Sequence, residues 1–302
     1  MGKRAGSPVQ PHTLPNIEPY SPSFFRKDLR ELTGAAAQTA QAIPAKAGCV
    51  VDLDTRTVLW ELNPDEQLSI ASVSKMMTAY LAIRRLYESN GAITLETPIR
   101  VTRDAARIGG REVWLDPKET FTFEEILKCV LVHSANDAAY LLAEYCGDGS
   151  VPTFLADMND LSKKIGCDKF HFVNSNGLTE KDGTENSASA IQLAYLSEHL
   201  IRIPEIMKWT GVKTDHLREN DEAFIKRNKG QPTMLSSSNG LLGTCKGCNG
   251  MKTGYTVKSG FCIVATCERS NRHLAVVLLG CKNAKERDKL ARALFDWAYA
   301  LR

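Results

Sequence analysis

No stretch of this chain approaches the eighteen or so consecutive apolar residues that a membrane-crossing helix requires. No lysine- or arginine-rich run accompanies the net charge of +3, so neither the total nor its distribution points to nucleic acid. The basic start Met1-Gly2-Lys3-Arg4 is not followed by an apolar h-region. The sequence therefore reads as carrying no secretory signal, because the protein is cytosolic or because the signal has been removed. No second Cys-x-x-Cys and no histidine pair follows Cys245-Lys246-Gly247-Cys248, which leaves at most half of a zinc site; neither metal nor cofactor is expected. No internal repeat is visible. What is present is a globular composition, 43% hydrophobic and 24% charged over 302 residues, enough for one large domain or two small ones.

Residues 1–40 hold Pro8, Pro11, Pro15, Pro19 and Pro22 among Gly, Ser and His, a composition that predicts a flexible tail, with a short helix over Phe24 to Leu32. Order is expected from residue 41 to 302, beginning near Ala45. Ala47 to Asp54 and Thr57 to Leu62 read as a strand pair around Asp54-Thr55-Arg56. Helices are predicted after Ile70, over Phe123 to Val132, from His133 through Tyr145, over Val151 to Ile165, and over Ser187 to Ile201 with Ser187 as the cap. Two apolar runs around Ser270-Asn271-Arg272 predict an antiparallel hairpin, and Ala284 to Leu301 a closing helix. Hairpin, helices, hairpin, helix is an α+β order, with an antiparallel sheet packed against a helical cluster.

Ser72 and Lys75 are three apart at the start of an apolar helix, so their side chains share a face. A serine hydroxyl is a poor nucleophile until a neighbour takes its proton. Lysine can do so only as the neutral amine, which burial and the helix N-terminus both favour over its ordinary pKa of roughly 10.4. Ser134-x-Asn136 follows 62 residues later, and Lys252-Thr253-Gly254 lies 118 beyond that. Each motif alone arises by chance; a capping serine and a solvated edge lysine would account for the latter two. The three in this order form the signature shared by penicillin-binding proteins and class A β-lactamases.

On these residues the chain resembles the serine D-alanyl-D-alanine carboxypeptidases, the low-molecular-mass penicillin-binding proteins. Further stretches carry the likeness: Val51 to Leu59, Ala71 to Thr78, Ser134 to Ala138, Phe172 to Leu178 and Gly250 to Thr256. The resemblance covers roughly residues 45–300 and implies a β-lactamase/penicillin-binding-protein-like fold. It implies that Ser72 attacks the carbonyl between two D-alanines, that Lys75 accepts its proton, and that Ser134 relays a proton to the leaving nitrogen while Asn136 orients Lys75. Lys252 and Thr253 would receive the terminal carboxylate. Gly254, lacking a Cβ, would let the substrate lie along the strand edge, and the N–H groups of Ser72 and Tyr255 would form the oxyanion hole. Peptidoglycan stem peptides are the implied partners, β-lactams the implied covalent inhibitors, and the cell envelope outside the cytoplasmic membrane the implied location. The chain would then be the mature part of an exported protein.

Departures from the family pattern are Ala135 for glycine, His133 for glutamine, and Ser175-Asn176 for Pro-His. His133 reads as a buried or rim histidine. The β-rich domain and amphipathic anchor helix of many members are not expected after Arg302. The Glu-x-x-Leu-Asn loop of class A β-lactamases is not found after Ser134. A DD-endopeptidase or β-lactamase on the same scaffold, and a catalytically weak peptidoglycan- or penicillin-binding module, remain alternatives. Nine cysteines cannot all pair; Cys245 and Cys248 read as two free thiols or as a short disulfide before the Lys252 strand.

Overall fold

Chain order and hydrogen bonding together define a six-stranded sheet with helices on both faces, in a computed structural model that describes residues 14–301. The chain opens with β1 (Arg26–Lys27), α1 (Gly34–Ala42), β2 (Ala47–Asp52) and β3 (Thr57–Leu62). Next, β4 (Leu68–Ser69) leads into a 3-10 turn at Ala71–Ser74 and into α2 (Lys75–Glu88). β5 (Pro98–Arg100) pairs with β6 (Thr120–Thr122), and α3 (Phe123–Lys128) follows. A π-helical turn at Cys129–His133 then precedes α4 (Asn136–Cys146) and α5 (Val151–Lys164). After β7 (Ser187–Ala188), which pairs with β4, come α6 (Ala190–Leu200) and α7 (Pro204–Thr210). β8 (Thr214–Leu217) and β9 (Thr233–Ser236) pair around α8 (Glu222–Arg227). The chain ends with β10 (Cys248–Thr256), β11 (Gly260–Arg269), β12 (Arg272–Cys281) and α9 (Ala284–Ala300).

The sheet order is β1-β3-β2-β12-β11-β10, antiparallel except for the β1–β3 pair. Its central strands are apolar on both faces, as strands covered on both sides must be. On β11 and β12, Cys262, Val264, Ala275, Val277 and Leu279 join the core beneath the helical cluster. Their alternate neighbours Ile263, Ala265, Cys267, Leu274, Val276 and Leu278 join a second core under α1 and α9. The two-residue alternation of a strand thus serves two cores at once.

Helix starts follow their capping residues. Thr122 and Glu125 form a reciprocal capping box at α3, and Asn283 accepts from the Glu286 N–H at α9. The cap of α6 is Ser189, whose hydroxyl accepts from Gln192; the predicted cap Ser187 is instead engaged in β7.

The expected tail over 1–40 lies partly outside the described residues, and its second half is packed. Phe24 and Phe25 are buried, and the Phe24 ring meets Tyr195 edge-on at 4.8 Å. The helix predicted over Phe24 to Leu32 is extended backbone, because Arg26, Asp28 and Arg30 donate their N–H groups to Arg56, Val58 and Leu59. Helix begins only at Gly34, so ordered chain starts well before the expected boundary at 41.

Candidate active site

The 3-10 turn at Ala71–Ser74 tightens the chain before α2 and sets Ser72 and Lys75 side by side. Lys75 is wholly buried, yet its amine meets three oxygens: Ser72 Oγ at 3.0 Å, Asn136 Oδ1 at 2.7 Å and the Asn176 carbonyl at 2.5 Å. No carboxylate is among these partners. Burial, followed by the charge of Lys252, holds the Lys75 ammonium well below its ordinary pKa. Lys75 donates to all three oxygens, and the Ser72 hydroxyl donates to the Asn176 carbonyl at 3.2 Å; loss of one ammonium proton would leave a lone pair free to accept from Ser72.

Ser134 is presented by backbone strain. The π-helical turn ends in Ser134 with φ of 64°, a left-handed conformation that is uncommon outside glycine and frequent at functional sites. Its hydroxyl receives a 2.7 Å hydrogen bond from Lys252 Nζ, which also donates to the Thr253 carbonyl at 3.1 Å. Burial, then Arg111 and Arg287, lowers the Lys252 pKa to about 7. The predicted residues therefore form two units, Ser72–Lys75–Asn136 and Ser134–Lys252. Thr253 Oγ1 adjoins the second unit and lies 2.5 Å from Ser238 Oγ.

Gly254 has a reason within the fold beside the substrate role expected of it. A Cβ there would stand 2.6 Å from the Ile70 carbonyl and 2.9 Å from the Ser72 nitrogen. The missing side chain admits the nucleophile turn against β10, which brings the Ser72 and Tyr255 backbones to one place. The Tyr255 side chain is 54% exposed and stacks on Phe261 at 4.2 Å. β10 is the terminal strand of its sheet, so one edge is unpaired.

Sequence reasoning placed the 172–178 loop in the family likeness but gave it no part in the site. Asn174 Oδ1 accepts from the N–H groups of Asn176 and Gly177, Asn186 secures Asn174, and Thr78 Oγ1 donates to the Ser175 carbonyl. This buried asparagine network supplies the rigidity that Pro-His would have given and aims the Asn176 carbonyl at Lys75. The departure at Ser175-Asn176 marked the place; the acting atom is backbone and left no residue-type signal. Gly177 has φ of +83°, and a Cβ there would sit 2.2 Å from the Ala71 carbonyl. Gly177→Ala is expected to cost about 1–3 kcal/mol of stability, measured as a lower urea midpoint with unchanged slope.

Arg111 and His133 form the rim. Arg111 donates to the carbonyls of His133 and Ser236, while His133 Nδ1 accepts from the Ser236 N–H at 3.1 Å. Burial, then the charge of Arg111, lowers the His133 pKa to about 4, so it is a neutral structural acceptor. Asp137, beside Asn136, accepts from the Val113, Leu115 and Ala138 N–H groups and fixes the segment carrying Arg111.

A family described as D-alanyl-D-alanine carboxypeptidase (peptidase S11) matches residues 34–283. The chain is 32% identical over 282 residues to D-alanyl-D-alanine carboxypeptidase DacF of Bacillus subtilis, covering 93% of this chain and 67% of that protein. Its identity to DacC of Escherichia coli is 31%, over 88% of this chain and 64% of the other. The chain thus spans about two thirds of the length of these curated relatives. Among solved structures, penicillin-binding protein D2 of Listeria monocytogenes in its ampicillin-bound form matches with a TM-score of 0.71 and 29% identity, over 84% of this chain and 97% of that one. The carboxypeptidase DacD of Francisella tularensis gives 0.75 and 26%, over 85% and 70%.

Proposed function

Since the chain belongs to the D-alanyl-D-alanine carboxypeptidase family S11, we propose that it removes the terminal D-alanine from peptidoglycan stem peptides through an acyl-serine intermediate. The observation that carries this reading is the buried, carboxylate-free Lys75 amine 3.0 Å from Ser72 Oγ. Neutral Lys75 accepts the hydroxyl proton as Ser72 attacks the scissile carbonyl. The developing oxyanion is met by the N–H groups of Ser72 and Tyr255. Ser134, held by its bond from Lys252, relays to the departing D-alanine nitrogen the proton that Lys75 took from Ser72, which returns Lys75 to the free amine. Water then hydrolyses the acyl-serine and regenerates Ser72.

The peptide adds along the open edge of β10, its terminal carboxylate against Lys252 and Thr253. Lys252 has a proton to spare beyond its two hydrogen bonds, and Thr253 presents a hydroxyl beside it. Lys252→Ala is expected to weaken turnover of peptide acids by about 1.5–3 kcal/mol, the worth of a charge-assisted hydrogen bond. The matching peptide amide should be a poor substrate throughout and lose less; equal losses would remove the carboxylate from this role.

Penicillins acylate the same serine in this reading, supported by the ampicillin-bound relative. The substrate places the enzyme outside the cytoplasmic membrane; among the described residues no helix is long and apolar enough to cross one. Mass spectrometry of muropeptides before and after incubation tests the proposal. Pentapeptides should lose one D-alanine each. Separation of cross-linked dimers without free D-alanine would make the enzyme an endopeptidase.

A further inference from the structure

Three thiols meet at the entrance to β10. Cys248 opens that strand and is the register partner of Cys267 on β11. Cys245, on the preceding loop, places its Sγ 4.0 Å from Cys267 Sγ and receives a 3.5 Å contact from the Arg269 guanidinium. Cys248 is half-buried, while Cys245, Cys267 and the remaining six cysteines are buried. None of the three thiols has a part in the acyl-transfer site. Among the described residues no set of three or more His, Cys, Asp or Glu side chains is arranged to hold a metal ion, so thiol chemistry rather than coordination is the property to explain.

We propose that Cys245 and Cys267 are a thiol–disulfide site, which a small external disulfide oxidises to a bond stapling the 237–247 loop to the sheet. Two features favour it. Cys245 is the nucleophile: its hydrogen bond from Cys267 and the Arg269 charge hold its thiol down at about 7, while those to Cys245 and Cys248 push the Cys267 thiol up and keep its proton in place. Cys245 is itself buried, but its neighbours Gly243, Thr244, Lys246 and Gly247 are exposed, so the thiol lies just beneath a surface that a small reagent reaches from solvent.

The step balances as ordinary exchange. Cys245 thiolate attacks one sulfur of R–S–S–R, and the released thiolate takes up the proton that Cys245 gave away. Cys267 then attacks Cys245 Sγ in the mixed disulfide and passes its own proton to the second departing thiolate. Two protein thiols lose two electrons, and one external disulfide becomes two thiols.

The bond has a reason to matter. The same loop carries Ser238, on the Thr253 hydroxyl, and Asn239, whose side-chain amide donates to the Gly250 carbonyl at 3.1 Å and reaches Cys248 Sγ at 4.0 Å. Oxidation would lock this support of the Lys252 strand to β11.

The test is treatment of the full chain with glutathione disulfide, then N-ethylmaleimide in denaturant and intact-mass measurement. Reduced protein should take nine maleimides, one per cysteine. Oxidised protein should take two fewer, with the missing pair mapped to Cys245 and Cys267; trypsin separates Cys245 from Cys248 at Lys246. Nine adducts after oxidation, a glutathionyl adduct that persists, or a bond at Cys248 overturns the assignment. Cys267 is wholly buried and its replacement risks the fold. Cys245→Ser is therefore the variant of choice and should keep all eight remaining thiols under the same treatment. The oxidised wild type should also melt at a higher temperature than the reduced form; equal Tm values would overturn the staple.

Discussion

Ser72→Ala is expected to abolish D-alanine release and covalent penicillin labelling together, because one hydroxyl serves both. The loss should be at least about 10⁴-fold, since removing a nucleophile in a serine-hydrolase site leaves only binding and oxyanion stabilisation. That is about 5.4 kcal/mol of barrier. Folding should survive: Ser72 is half-buried, and the variant gives up hydrogen bonds to Lys75 and to the Asn176 carbonyl without opening a core cavity. Intact-mass spectrometry followed over time after mixing with penicillin provides the readout. The wild type should carry one adduct lasting minutes or longer, because among the described residues no carboxylate hydrogen-bonds Ser72 or Lys75 to drive water onto the ester. Rapid return to the unmodified mass with hydrolysed drug accumulating would make the protein a β-lactamase. Labelling that persists in Ser72→Ala would put the nucleophile elsewhere.

Lys75→Met should slow acylation by peptide and by penicillin alike, by about 10²–10⁴, the range for losing a positioned general base. Non-covalent binding should remain. In the wild type, kcat/KM should rise with pH through the lowered Lys75 pKa, because only the free amine accepts the Ser72 proton; the variant should lack that limb. Stability carries the same signature. Lys75 is protonated in the unfolded chain up to about pH 10.4, whereas the folded protein sheds that proton at lower pH. The unfolded state binds more protons between those two values, so stability should climb as pH rises through the interval. The Lys75 contribution is complete above the unfolded pKa and lost as pH falls through the folded one. Urea unfolding across this range should show a smaller rise for Lys75→Met. Equal slopes would mean that Lys75 is charged in the folded site.

How much of this was legible beforehand follows from what each atom is. The roles proposed for Ser72, Lys75, Ser134, Asn136 and the Lys252 strand rest on side chains at short fixed spacings, which a sequence displays directly. The Asn176 carbonyl acts through the backbone, and its aim is set by Asn174 and Asn186, twelve residues apart. Gly254 was singled out, but its reason lies in Ile70 and Ser72, a contact made only by folding. β8, α8 and β9 were not anticipated: they are short, largely polar at the surface, and held by Arg218, which binds Glu119 through two nitrogens at 2.6 and 2.7 Å. Periodicity has nothing to register in such segments. Cys267 shows the same limit, since its meeting with Cys245 depends on the register of β10 against β11.

The unpaired flank of β10 has a consequence for the protein as a colloid. The six-stranded sheet has two ends, and only one is blunt: β1 is two residues long, too short to template another chain. β10 runs nine residues with its outer backbone groups unpaired within the sheet, the geometry on which misfolded chains stack edge to edge. A groove that must admit an extended peptide cannot be roofed over, so protection has to come from shape and charge. The register break between Cys248 and Gly250 twists one end of the flank. Exposed Lys246 and Lys258 stand just before and just after the strand, where an edge-to-edge newcomer would meet positive charge. The flank proposed for the stem peptide is thus guarded at its ends by lysines rather than covered by another strand.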